Sequence, residues 1–155
     1  MLAAPLVSLV LSGCGGMRHP GITRGAELYD TCVPCHGKAG HGNPALGAPA
    51  IAGLPQWYVQ AQLDKFRSGM RGAHPSDAEA HRMRPMARSL NLVGDVPSVA
   101  EYVASMPGVA PPVTLTGGDA TAGAERYTTV CVVCHGADGT GMEAMGAPAL
   151  VNQAD

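Results

Sequence analysis

Large rings are scarce in this chain: one phenylalanine, one tryptophan and four tyrosines make up 4% of 155 residues. A chain so poor in aromatics lacks the usual filler of a small core, and domains of this size commonly make up the shortfall with a disulfide, a metal or a bound cofactor. Charge of one sign is lacking too. Ten basic and twelve acidic residues leave a formal charge of −2, without the cationic excess that a nucleic-acid partner would call for. No apolar run reaches the length of a membrane span; the longest, from Met1 to Leu11, suits the core of an export signal instead. No segment shows the period-two alternation of a half-buried strand, so the expected fold class is all-α.

What the chain does have is a long-range repeat. Residues 32–53 read CVPCHGKAGHGNPALGAPAIAG, and residues 131–152 read CVVCHGADGTGMEAMGAPALVN. The lead-ins match as well: TRGAELYDTCVPCH pairs with TAGAERYTTVCVVCH, with one residue inserted before the second pair of cysteines. A repeat of this length points to two small units in tandem.

Around the first copy the spacing predicts a helix that ends at or just before Cys32, then a Gly- and Pro-rich loop through Pro49. PQWYVQAQLDKFRSG begins with Pro55 at a helical start, spaces Tyr58, Gln62 and Phe66 as well as Trp57 and Ala61 by four, and stops before Gly69. That is an amphipathic helix. A further helix is expected from Pro97 to Met106, and PGVAPPVTLTGGD then reads as a linker.

At the N-terminus the apolar run closes on LSGC, Leu11 to Cys14. This resembles the lipobox of bacterial lipoproteins, which implies cleavage before Cys14 and acylation of that cysteine. The reading also explains an odd number of cysteines, since Cys14 alone of the five stands outside a Cys-x-x-Cys pair.

The repeated Cys-x-x-Cys-His carries the chemistry. Two thiols three positions apart at a helix end can each form a thioether to a haem vinyl group, and the histidine that follows is placed to ligate the iron from one face. A zinc site wants four ligands close together, whereas these pairs lie in separate units. A thioredoxin-like dithiol would need a strand and helix context that is absent. Cys32, Cys35 and His36 are therefore the expected attachment and ligand residues of one haem c, and Cys131, Cys134 and His135 those of a second.

On these residues, together with WYVQAQLDKFRSGMR, MRPMARSLNLVGDVPSVAEYVASM and GAPALVNQ, the chain resembles a dihaem, class I type bacterial cytochrome c, close in plan to the c4-like carriers. The resemblance covers nearly all the chain after Gly21. It implies tandem all-α cytochrome c domains and one-electron transfer. The expected layout is a signal peptide over 1–13, a tether over 14–21, domain one over 22–106, a linker over 107–120 and the N-terminal part of a second domain over 121–155.

The resemblance also implies a distal methionine for the first haem. The family's ligand methionine shortly precedes a leucine that leads into the last helix, which selects Met83 before Leu90, with Met86 as the alternative. Met70 is a lesser candidate, and Met106 is read as core filler. His74 and His81 are read as surface residues. In the second unit Met142 and Met145 follow His135 too closely to reach its far side, so His135 is expected to be the one strong ligand there. The second unit is expected to be truncated, with completion by a partner chain as the alternative. A further family feature is a glycine against an aromatic ring where the first and last helices cross, which fits Gly25 and Tyr102.

Lys65, Arg67, Arg71, Arg82, Arg84 and Arg88 form a basic cluster. They are expected to pair with haem propionates, or to steer an acidic redox partner. The implied function is a carrier tethered by lipid to a membrane, facing the periplasm. It would pass single electrons from a donor complex or dehydrogenase to a terminal oxidase or reductase. The alternative is a haem enzyme or enzyme subunit whose open second haem binds peroxide or another small ligand. No nucleic-acid partner is expected.

Overall fold

The structure is a computed structural model that describes residues 20–108 and 117–151. Cys14, with the expected signal peptide and most of the tether and linker, lies outside the described residues. Seven α-helices are described: α1 (Pro20–Tyr29), α2 (Val33–His36), α3 (Gln56–Ser68), α4 (Ala78–Ser89), α5 (Asp95–Ser105), α6 (Ala120–Arg126) and α7 (Val132–His135). Among the described residues there is no strand, only the isolated bridges Asn43 to Ala48 and Met142 to Ala147. The all-α class holds.

Helices α1 and α5 cross at Gly25. A Cβ there would run into the carbonyl oxygen of Ser98 and come 2.7 Å from the Cβ of Tyr102, so only a residue without a side chain permits this approach. The crossing brings the rings of Tyr29 and Tyr102 to 5.4 Å between centroids, within the favourable range for tilted aromatic pairs. The buried face of α5 runs through Val96, Val99, Ala100 and Val103, one stripe at helical spacing. The buried carboxylate of Asp95 accepts from Leu92 N–H at 3.0 Å and from Arg24 at 3.2 Å, joining the start of α5 to α1. Helix α5 begins two residues earlier than the sequence predicts, because Gly94 takes φ 93° and turns the chain into the helix. Pro97 is tolerated at the third position, where a backbone N–H has no partner within the helix anyway.

Two expectations need correction. The buried residues of α3 are Val59, Leu63 and Phe66, at i, i+4 and i+7, so the core face is rotated from the Tyr58, Gln62, Phe66 stripe and only Phe66 is shared. The stretch around MRPM, outside the helices expected from the sequence, is helix α4. Asp77 caps it by accepting from Ala80 N–H at 3.0 Å. Its buried residues, Ala80 and Ala87, are too small to mark a hydrophobic stripe in sequence. Pro85 lies inside it and removes one backbone bond.

The hydrophobic core comprises Tyr29, Val59, Leu63, Phe66, Ala80, Ala87, Leu90, Val96, Val99, Ala100, Val103 and Met106, with Leu28, Cys32, Val33, Ile51, Ala52, Leu54, Met83 and Tyr102 packed against it. Met106 is core, as expected. Residues 117–151 contribute nothing to this cluster, and no residue of α6 or α7 is buried.

Candidate functional site

Each Cys-x-x-Cys-His ends a short helix, and each histidine is held in the same way. His36 Nδ1 lies 2.9 Å from the carbonyl oxygen of Pro49, thirteen residues on. His135 Nδ1 lies 2.9 Å from the carbonyl oxygen of Pro148, also thirteen residues on. A carbonyl oxygen only accepts, so Nδ1 carries the proton and the lone pair sits on Nε2, the tautomer that a metal ligand needs.

The loop between histidine and proline is built alike in both copies. Gly42 N–H donates to His36 O, and Gly141 N–H donates to His135 O, both at 2.9 Å. The bridges Asn43 to Ala48 and Met142 to Ala147 close the two loops, each over a single 3-10 turn, Pro44–Leu46 and Glu143–Met145. A tyrosine hydroxyl then fixes the end of each motif. Tyr29 donates to Gly37 O at 2.9 Å, and Tyr127 to Gly136 O at 2.6 Å. The one-residue insertion is absorbed between tyrosine and cysteine. In the first copy Cys32 N–H reaches back to Tyr29 O at 2.7 Å, a tight turn; in the second a π-helical turn, Tyr127–Cys131, takes up the extra residue.

His36 is buried and His135 half-buried. Cys35 is exposed, Cys32, Cys131 and Cys134 are half-buried, and all four are free thiols. Burial pushes the Cys32 thiol above its ordinary range, the nearby Cys35 adds to this, and the hydrogen bond from Thr31 opposes it, so the sulfur keeps its proton near neutral pH. Burial also pushes the Tyr29 phenol up to about 12, with smaller contributions from Cys32 and Tyr102.

The distal candidates separate by exposure. Met83 lies on α4, half-buried and packed on the core. Met86 is 44% exposed and Met70 75%, while His74 and His81 are exposed. Met142 and Met145 sit on the turn between His135 and Pro148, the loop that holds the histidine.

The residues present fit a covalently held haem. In each copy two free thiols precede a histidine with Nε2 available, and in the first copy Cys32 packs on the same hydrophobic core as Leu28, Val33, Ile51, Leu54 and Met83. Of the basic cluster, Arg67 pairs with Asp64 at 3.3 Å, and Arg71 bonds Gln62 at 2.8 Å while lying 4.4 Å from the centre of the Phe66 ring. Arg82 donates to Leu46 O at 2.9 Å. Arg84 Nε is buried without a hydrogen-bond partner, an unusual state for such a group and one that a propionate would relieve. Sequence reasoning missed the proline carbonyls and the tyrosine hydroxyls. The signal for both was present, in the GAP that follows each histidine at equal distance and the tyrosine ahead of each motif.

Residues 22–107 match the model of the cytochrome c family. The chain belongs to that family. It is 33% identical over 132 residues to the thiosulfate dehydrogenase electron acceptor of Thiomonas intermedia, covering 79% of this chain and 57% of that protein. It is 35% identical over 128 residues to the cbb3-type cytochrome c oxidase subunit FixP of Bradyrhizobium diazoefficiens, covering 80% of this chain and 42% of that protein. The chain thus spans about half the length of these relatives. Among solved structures, thiosulfate dehydrogenase TsdBA of Marichromatium purpuratum matches with TM-score 0.60 at 29% identity, over 86% of this chain and 30% of that one. Cytochrome c4 of Pseudomonas stutzeri matches with TM-score 0.57 at 24% identity, over 85% of this chain and 73% of that one, which supports the class I fold. Cytochrome c membership implies covalently bound haem c and a role in electron transfer.

Proposed function

We propose that this cytochrome c holds two haems, one on Cys32, Cys35 and His36 with Met83 as distal ligand, the other on Cys131, Cys134 and His135, and carries single electrons between redox proteins. The observation that carries the count of two is the repeated bracket, His36 on Pro49 and His135 on Pro148, both at 2.9 Å. A bound haem c supplies a one-electron iron couple. The chain's own part is to anchor it through the thiols, to present Nε2 through the proline carbonyl, to shield it with the α3 to α5 core, and to offer Arg84 to a propionate.

The relatives support carriage in a respiratory chain, since one is named as the electron acceptor of a dehydrogenase and another as an oxidase subunit. The proposed partners are accordingly a donor complex or dehydrogenase and a terminal oxidase or reductase. No helix among the described residues is long and apolar enough to cross a membrane. The proposed tether is a lipid on Cys14, facing the periplasm, and it rests on the lipobox-like sequence alone. Export in a lipoprotein-competent host should place the chain in the membrane fraction, and Cys14→Ala should release it or block maturation.

The test of the haem count is a pyridine haemochrome titration against protein, with a haem stain after denaturing electrophoresis. Two haems per chain should survive denaturation, and Cys131→Ser with Cys134→Ser should leave one. A single haem in the unaltered protein would refute the proposal. A second reading, a ligand-binding haem, is favoured by one observation: the methionines of the second unit lie on the loop that holds His135. Carbon monoxide uptake by about one haem in two of the 155-residue chain would support it.

A further inference from the structure

The loop that seats His36 and the helix that carries Met83 are joined by one side chain. Arg82 Nη2 donates to the carbonyl oxygen of Leu46 at 2.9 Å, and Leu46 ends the 3-10 turn between His36 and Pro49. Arg82 also approaches Glu79 Oε1 at 3.5 Å, one helical turn earlier on α4. Glu79 lies against the same turn, since a Cβ at Gly47 would come 2.5 Å from its Cγ. The second unit has a loop of the same shape, yet no described residue lies within 4 Å of a Cβ placed at Gly146. The junction is therefore a property of α4 and not of the loop.

We propose that Arg82 is a positioning residue for the axial methionine: by tying α4 to the loop that seats His36, it holds Met83 on the haem iron. The proposal rests on the reading of Met83 as the distal ligand. The histidine's seat is fixed through Pro49 and the methionine's through α4, so a bond between the two carriers limits how far they can part. Pro85 weakens the backbone of α4 just beyond Met83, which makes an outside tie more effective there. Arg82 and Glu79 are more than half exposed, so the pair adds little to global stability. Its effect should appear in ligation, because Arg82 is the neighbour of Met83 on α4.

The test uses the dihaem holoprotein. In the ferric state the thioether-to-iron charge-transfer band reports methionine ligation alone, and added imidazole bleaches it by competing for the iron. Arg82→Ala should lower the imidazole concentration at half-bleaching about fivefold, the shift expected for one net hydrogen bond, and should lower the urea midpoint of unfolding by no more than that same bond is worth. Arg82→Lys, which keeps one donor for Leu46 O, should recover part of the shift. Arg67→Ala, on α3, should have no effect. If Met83→Ala abolishes the band while Arg82→Ala leaves the imidazole midpoint as in the native protein, the tie is refuted and the ligand reading stands. A band that survives Met83→Ala overturns the ligand reading and the tie with it.

Discussion

The hydroxyl of Tyr127 donates to the carbonyl of Gly136 at 2.6 Å across nine residues, whereas that of Tyr29 reaches Gly37 at 2.9 Å across eight. Two chains of unequal length thus span one fixed distance, the first by a tight turn and the second by a π turn, Tyr127–Cys131. The extra residue lies outside the loop that runs from His135 to Pro148. Deleting Thr129 should convert the second lead-in to the geometry of the first and leave haem attachment at Cys131 and Cys134 intact on a haem-stained gel. Deleting Ala144, inside the loop closed by His135 and Pro148, should abolish attachment there. Equal staining of the two variants would refute the fixed-span account.

Tyr29 should give the protein an alkaline limit. An unfolded tyrosine titrates near 10, and in the fold burial, ahead of Cys32 and Tyr102, moves it to about 12. The fold therefore prefers the neutral phenol. Below pH 10 both states are neutral and the contribution is complete. From pH 10 to 12 only the unfolded chain ionises, so stability falls with rising pH, and above 12 the loss stops. Urea unfolding followed by far-UV circular dichroism should show this fall, and Tyr29→Phe should flatten it. An unaltered slope in Tyr29→Phe would assign the limit to another group.

Much of this architecture was legible because repetition and punctuation are visible in sequence. The start and stop of α3 and the extra residue before Cys131 could be read directly, and Gly25 against Tyr102 followed from the family resemblance. What was not legible depended on small residues and on backbone groups. Ala80 and Ala87 bury α4 without a hydrophobic signal, and Pro85 lies inside it. The core face of α3 was misjudged because Tyr58 and Gln62 share the spacing of Phe66, and only packing against α4 and α5 selects Val59 and Leu63. The seats of the histidines are carbonyl oxygens, which no residue type announces.

Met83 and Met86 differ in a way that a spectrum can read. Met83 packs on the core, while Met86, one turn later beyond Pro85, is 44% exposed. Met83→Ala should remove the thioether charge-transfer band of the ferric protein and lower the midpoint potential, since methionine ligation favours ferrous iron. Met86→Ala should keep the band. The reverse pattern would move the ligand to Met86.

Gly25 and Gly123 hold the same place in the repeat but not the same surroundings, and alanine should separate them. At Gly25 a methyl group would meet the backbone carbonyl of Ser98 and the Cβ of Tyr102. Neither is the free end of a side chain, so α1 and α5 must move apart, at a cost of about 1–3 kcal/mol. At Gly123 no described residue outside the helix's own backbone lies within 4 Å of an added methyl group. Alanine in the middle of α6 then gains its intrinsic helix preference, about 1 kcal/mol at most. In the 155-residue chain Gly25→Ala should therefore lower the urea midpoint of the unit built on α1 to α5, and Gly123→Ala should leave it unchanged while raising far-UV helicity slightly. Equal loss of stability from both substitutions would mean that α6 already receives a close-packed neighbour at Gly123, as α1 does at Gly25.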